Sequence, residues 1–182
     1  MRLFAAVLPP PEVVAELVAA TEPLRTQLSR PRWADPTRMH LTLAFYGEVA
    51  DATAERLVGR LARAAGRRPA MELAFAGGGA FPNARRARVL WVGVEGDRVR
   101  LRQLADSAAA AGRRLGLGGP ARAYRPHVTL ARLREPADVR AQVGALAEYR
   151  GRSWRAGELL LVRSHLGPEP KHETLASWPL GG

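Results

Sequence analysis

The chain has 182 residues, enough to bury a core as one domain or two intimately packed lobes, and no apolar stretch reads as a membrane span. It has no cysteine, which excludes disulfides, thiolate chemistry and cysteine-ligated metals; with no signal peptide ahead of the first strand, a cytoplasmic protein is expected. Its 28 basic and 17 acidic residues give a formal charge of +11, which favours a polyanion such as RNA as partner.

Residues 2–8 read as a strand stopped by Pro9-Pro10-Pro11. Residues 11–28 carry Val13, Val14, Leu17, Val18, Leu24 and Leu28 at helical spacing, with Pro23 disturbing the later turns. An apolar run over about 39–46 predicts a second strand, closed by Gly47. Asp51 is the expected N-cap of a helix over 52–65, where Leu57, Val58 and Leu61 form one stripe. Residues 70–76 return as a strand, and Gly77-Gly78-Gly79 is expected to begin a loop that ends in Phe81-Pro82-Asn83.

The second half repeats that order. A strand over 87–94 leads to a helix over 97–115 bearing Val99, Leu101, Leu104 and Leu115, then a turn from Gly116 to Pro120. A strand follows at about 126–133, a helix at 136–147, and strands at 156–163 and 173–179. No composition shift marks a linker, so residues 1–182 are expected to fold as a single domain of class α+β, with two antiparallel-rich sheets flanked by about four helices around a central cleft.

Within this frame His40-Leu41-Thr42-Leu43 and His127-Val128-Thr129-Leu130 are two copies of one tetrapeptide, 87 residues apart, each in a predicted strand. Residues i and i+2 of a strand share a face, so each motif presents an imidazole and a hydroxyl on one side and packs two apolar residues on the other. The same offset lays Leu3-Phe4-Ala5-Ala6-Val7 on Leu90-Trp91-Val92-Gly93-Val94, and Leu73 and Phe75 on Leu160 and Val162. That pattern is an internal duplication, which would set the imidazoles of two lobes facing one another.

Paired imidazoles suit proton transfer at phosphorus. With an unperturbed pKa of about 6.5, one can be neutral and act as base while the other is charged and acts as acid. A cyclic phosphodiester needs both: a base to deprotonate the attacking water, and an acid to protonate the departing ribose oxygen. Thr42, Thr129 and a nearby arginine are suited to receive the charge on the non-bridging oxygens. The residues alone leave open which imidazole is acid and which is base. Neither motif has a second His or a carboxylate at ligand spacing, so no metal is expected.

Only Lys171 of the 28 basic residues is lysine, as GC-rich coding favours arginine, yet coding bias does not explain the net charge. Clusters at Arg30/Arg32/Arg38, Arg85/Arg86/Arg88 and Arg122/Arg125 lie near the motifs, where they can collect phosphates. Trp33, Phe45, Phe81 and Tyr124 are candidates to stack a base, with core packing the expected role of Phe45. His165 and His172 lie outside the motifs and read as structural or surface residues.

On these residues the chain resembles the two-histidine (2H) phosphoesterase superfamily and, within it, the LigT/ThpR-type RNA 2′,3′-cyclic phosphodiesterases, known historically as 2′-5′ RNA ligases. The resemblance runs over nearly the whole chain, from Arg2-Leu3-Phe4 through His40-Leu41-Thr42-Leu43, Gly47-Glu48-Val49, Phe81-Pro82-Asn83 and Val89-Leu90-Trp91 to Pro126-His127-Val128-Thr129-Leu130-Ala131-Arg132 and Trp178-Pro179-Leu180. It implies a bilobal fold with pseudo-twofold symmetry and an active site that needs no metal or nucleotide cofactor. His40 would be the acid to the 3′-oxygen and His127 the base to water, with Thr129 and Arg132 holding the phosphate and a 2′-phosphomonoester as product. The partner implied is RNA with 2′,3′-cyclic phosphate ends, such as tRNA fragments, acted on by a monomer. The family pattern has a tyrosine where His172 stands. Competing readings are another cyclic or 2′-5′ linked nucleotide as substrate, ATP-independent ligation, or non-catalytic binding of RNA ends.

Overall fold

A computed structural model describes residues 1–28, 31–120, 122–167 and 170–181. Arg30, expected in one arginine cluster, lies outside the described residues. Among the described residues the strands and helices follow one another as β1 (Arg2–Val7), α1 (Pro11–Arg25), β2 (Arg32–Trp33), a 3-10 turn (Pro36–Arg38), β3 (Leu41–Glu48), α2 (Asp51–Gly66), β4 (Met71–Phe81), β5 (Ala87–Gly96), α3 (Arg98–Arg113), β6 (His127–Ala137), α4 (Arg140–Ala147), β7 (Trp154–Ala156), β8 (Glu158–His165) and β9 (Lys171–Pro179). Among the described residues no helix is long and apolar enough to cross a membrane.

The strands form two antiparallel sheets, ordered β3-β1-β8-β9 and β2-β6-β5-β4-β7. The orders β3-β1-β8 and β6-β5-β4 are the same order at the 87-residue offset. Each of these triplets takes two strands from one half of the chain and its third from the other: β8 joins β1 and β3, while β4 joins β5 and β6. The expected two-lobe arrangement therefore takes an exchanged form, in which neither half completes a sheet alone.

Alternation along β1 explains how one sheet serves two environments. Leu3, Ala5 and Val7 enter the main core with Leu41, Leu43, Leu159 and Leu161, while Phe4 and Ala6 face the other way beside Leu160 and Val162. That second face is the cleft side. The helices cover the core side: α2 buries Ala54, Leu57, Leu61 and Ala65, and α3 buries Leu101, Leu104, Ala105 and Ala108, both at i, i+3/i+4 spacing. Each buried leucine removed from water is worth about 1.5–3 kcal/mol, so these stripes hold the helices more firmly than their capping does.

Several boundaries differ from expectation. Helix α1 ends at Arg25, two residues past Pro23, whose missing N–H weakens the last turn. Asp51 is the first helical residue of α2, not its cap: Ala50 occupies the cap without a side-chain hydrogen bond, and the Asp51 carboxylate serves the positive end of the helix dipole. Strand β6 runs on to Ala137, paired with Ala87, so α4 starts only at Arg140. The short strand β2 has no counterpart among the expected elements; it pairs Arg32 with Arg132 and Trp33 with Ala131, partners too distant in sequence for any local pattern to reveal.

The run Gly77-Gly78-Gly79 is strand, not loop. At Gly78 a β-carbon would meet Leu146 of α4 at 2.6 Å, and at Gly79 it would run into the Trp91 indole. Gly78 and Gly79 are glycine because a helix leucine and a neighbouring strand's indole lie directly on the β4 backbone, and Gly77 because its φ is +65°. Gly79→Ala must displace Trp91 and is expected to cost about 1–3 kcal/mol, the usual penalty of overpacking, read as a lower midpoint in urea. Unchanged stability would show that Trp91 moves aside freely.

Candidate active site

His127 is the first residue of β6, and His40 immediately precedes β3. The two rings are fastened identically. Nδ1 of His40 lies 2.7 Å from the carbonyl oxygen of Arg38, and Nδ1 of His127 lies 2.7 Å from that of Arg125. A carbonyl only accepts, so each Nδ1 carries the hydrogen and each Nε2 is left for the cavity.

Aromatic rings hold each imidazole from the side. Phe4 lies 4.7 Å from His40, and its repeat counterpart Trp91 lies 5.7 Å from His127, ring centre to ring centre. His172 stands edge-on to His40 at 5.1 Å, and Phe81 stands edge-on to His127 at 4.9 Å. Such tilted contacts are favoured by the ring quadrupoles and keep the imidazoles from swinging away.

A cavity of about 380 Å³ is lined by both motifs: His40, Thr42, His127, Thr129 and Arg132, with Arg32, Trp33, Arg38 and His172 around them. All five residues singled out in the sequence are thus brought to one place. Among the described residues neither threonine hydroxyl has a protein partner, nor is Arg132 in an ion pair, which leaves these donors for a ligand. Arg38 works structurally as well: Nη1 donates to the Pro170 carbonyl at 2.9 Å, and Nε lies 3.4 Å from the Asp35 carboxylate without hydrogen-bond alignment. Asp35 in turn caps the 3-10 turn by accepting from Thr37 N–H.

The electrostatics disfavour protonation throughout. Burial holds His40 below its ordinary value; the Arg38 carbonyl opposes this, while His127, Arg132 and Arg38 add to it. His127 is likewise lowered by burial, opposed by the Arg125 carbonyl and assisted by Arg132. His172 is lowered to about 4, by burial first and then by the neighbouring His40 and Arg38 charges.

His172 is exposed, as expected of a surface residue, and it stands opposite Ser164 across the β8–β9 ladder, on the cleft side next to His40. Only the long-range register of that ladder could have located it. Phe45 is not core: it is 46% exposed, with the Arg2 guanidinium 4.9 Å over its ring. Of the other aromatic candidates, Trp33 is packed against the core under the Arg25 guanidinium, and the Tyr124 hydroxyl is buried without a partner among the described residues.

The duplication seen in the strand order recurs when the chain is set beside known proteins. The family model described as LigT like Phosphoesterase matches twice, over residues 7–91 and 92–172, once per repeat. The chain belongs to the LigT-like phosphoesterase family. A Thermus thermophilus relative named RNA 2′,3′-cyclic phosphodiesterase is 34% identical over all of this chain and 91% of its own. A relative of the same name from Geobacillus stearothermophilus is 31% identical over 82% of this chain, and one from Aeropyrum pernix 38% over 60%. The chain spans only 48% and 61% of the lengths of those last two. Among solved structures, TT0787 of Thermus thermophilus superposes with a TM-score of 0.84 at 30% identity, covering 100% of this chain and 99% of that one. E. coli LigT complexed with 3′-AMP gives 0.78 at 25% identity, covering 98% and 97%. Two antiparallel sheets flanked by four helices are the fold this chain shares with them.

The pKa directions give a signed expectation. Both imidazoles should titrate below pH 6.5 in the free protein by NMR, and the kcat/KM bell should sit on the acid side of that value. Because the unfolded chain then binds protons more readily, stability falls as pH drops through 6.5 toward the folded values. In folded His127→Ala, the His40 titration should move upward as a cationic neighbour is lost; an unmoved titration would show the two rings are not coupled.

Proposed function

We propose that this protein hydrolyses the 2′,3′-cyclic phosphate ends of RNA to 2′-phosphomonoesters by acid-base catalysis between its two motif histidines, without a metal. The observation that carries this reading is that two imidazoles from equivalent repeat positions line one cavity, each with Nδ1 occupied by a backbone carbonyl and Nε2 left for substrate. The relatives' shared name and the family membership support the substrate class.

In this mechanism the cyclic phosphate lies between the two Nε2 atoms. His127 takes a proton from water as the water oxygen bonds to phosphorus, and the phosphorus–O3′ bond breaks on the far side. His40 protonates the departing 3′-oxygen, leaving a 2′-phosphate and a 3′-hydroxyl. One proton has passed to His127 and one has left His40, so exchange with solvent restores the starting state. Thr42, Thr129 and Arg132 hold the non-bridging oxygens, where negative charge builds as the fifth bond forms. The lowered pKa of His40 makes its protonated form a stronger acid, and that of His127 keeps the base free near neutrality. The RNA acted on is expected to include tRNA fragments, and the acting species a cytoplasmic monomer.

His40→Ala and His127→Ala should each reduce turnover of a cyclic-ended RNA by about 10²–10⁴-fold with the fold retained by circular dichroism. Near-normal turnover in either folded variant would remove that histidine from the chemistry. Thr129→Ala and Arg132→Ala should cost less and raise KM, and no effect from either would dismiss the phosphate clamp.

Among the described residues no three His, Asp or Glu side chains are gathered as a metal would require. Turnover should therefore persist in excess EDTA, and, since Gly77-Gly78-Gly79 is followed by Ala80 and not the lysine of a phosphate-cradling loop, without ATP. Loss to chelator with rescue by a divalent ion would contradict the proposal.

A further inference from the structure

One of the two motif histidines, His127, stands at the junction of two cavities. Thr42 and His127 line both the 380 Å³ pocket that holds Arg132 and a second groove of about 1340 Å³. The groove is bounded by β3, the end of α3, the segment before β6 and the β4–β5 hairpin. Pockets for drug-sized ligands run to roughly 300–1,000 Å³, so the first space is of a size for about one nucleotide and the second has room for more than one.

The groove is built for an anion with flat apolar groups. Arg88, Arg113, Arg122 and Arg125 line it with a single acid, Asp106. Elsewhere many arginines are neutralised, as in Arg25–Glu22, Arg140–Asp138 and Arg152–Glu16, yet among the described residues none of these four is in an ion pair. Phe45, nearly half exposed with the Arg2 guanidinium over one face of its ring, and Phe81 supply ring surface between them. The repeat offset sharpens the contrast, since Phe45 occupies in the first motif the position that Arg132 occupies in the second. One end of the cleft therefore offers a guanidinium to a phosphate, and the other an aromatic ring to a base.

We infer that the groove on the Phe45 side binds the single-stranded RNA immediately 5′ to the cyclic end, its phosphates on the four arginines and its bases against Phe45 and Phe81. This rests on the hydrolysis proposed above. Stacking on exposed rings and phosphate neutralisation are sequence-tolerant, so the enzyme should measure strand length and not base identity.

The test is kcat/KM for a mononucleoside 2′,3′-cyclic phosphate against di-, tetra- and octanucleotides ending in the same group. The expected result is a rise of about tenfold or more from one to four nucleotides, then a plateau. Arg88→Ala and Arg113→Ala should each reduce the tetranucleotide-to-mononucleotide ratio by about threefold or more, and lower the slope of log kcat/KM on log salt by about 0.7. Arg155→Ala, on β7 three strands from β6, removes the same charge outside the groove and should leave the ratio unchanged. A flat length series, or an equal loss of the ratio in Arg155→Ala, would overturn the groove while leaving hydrolysis standing. No turnover of any length would overturn the hydrolytic reading itself, and the groove with it.

Discussion

Each motif imidazole is held by a hydrogen bond from Nδ1 to a carbonyl two residues earlier in its own chain, 2.7 Å in both copies. A bond that short and that local works only if the backbone before the strand is extended, as Met39 is at φ −66° and ψ 130°. It also fixes the tautomer, because a carbonyl cannot donate. From these facts follow the direction of Nε2, the side on which the threonine hydroxyls emerge, and the cavity into which both project. Arg38 ties this device to the start of β9, since its backbone holds His40 while its side chain reaches the Pro170 carbonyl.

The exchanged strands keep the two motifs in register with each other. Strand β1, which carries Phe4 against His40, pairs with β3 from its own repeat and β8 from the other; β5, which carries Trp91 against His127, pairs with β6 and β4 in the same way. A shift of either sheet would disturb strands of both halves, so the cost of misplacing one imidazole is spread through a single buried cluster that spans both sheets. The symmetry is broken at one telling position. Arg132 matches Phe45 in the repeat alignment, so equivalent positions of the two motif strands carry a guanidinium and an aromatic ring.

Much of this is legible in the chain. Period-2 alternation locates both motif strands, helical stripes locate α2 and α3, and the 87-residue offset identifies the duplication and hence the pairing of His40 with His127. What stays hidden depends on partners distant in sequence. A glycine run signals a loop unless one knows that the Trp91 indole lies across it, and nothing sets His172 beside His40 until β9 is paired with β8. Alternation from Leu41 and Leu43 assigns Phe45 to the core side. Register shifts in the β1–β3 ladder turn the strand there, so that Tyr46 is buried in its place, and no local pattern announces such a bulge.

On the proposed mechanism, two carbonyl-anchored imidazoles open a cyclic phosphodiester with water alone. The most direct measurement is to incubate the pure protein in ¹⁸O-water with a short RNA ending in a 2′,3′-cyclic phosphate, with no nucleotide added, and to analyse the ends by mass spectrometry. Conversion to a 2′-phosphate carrying one solvent oxygen is predicted; cyclic ends recovered intact would rule out hydrolysis by the histidine pair.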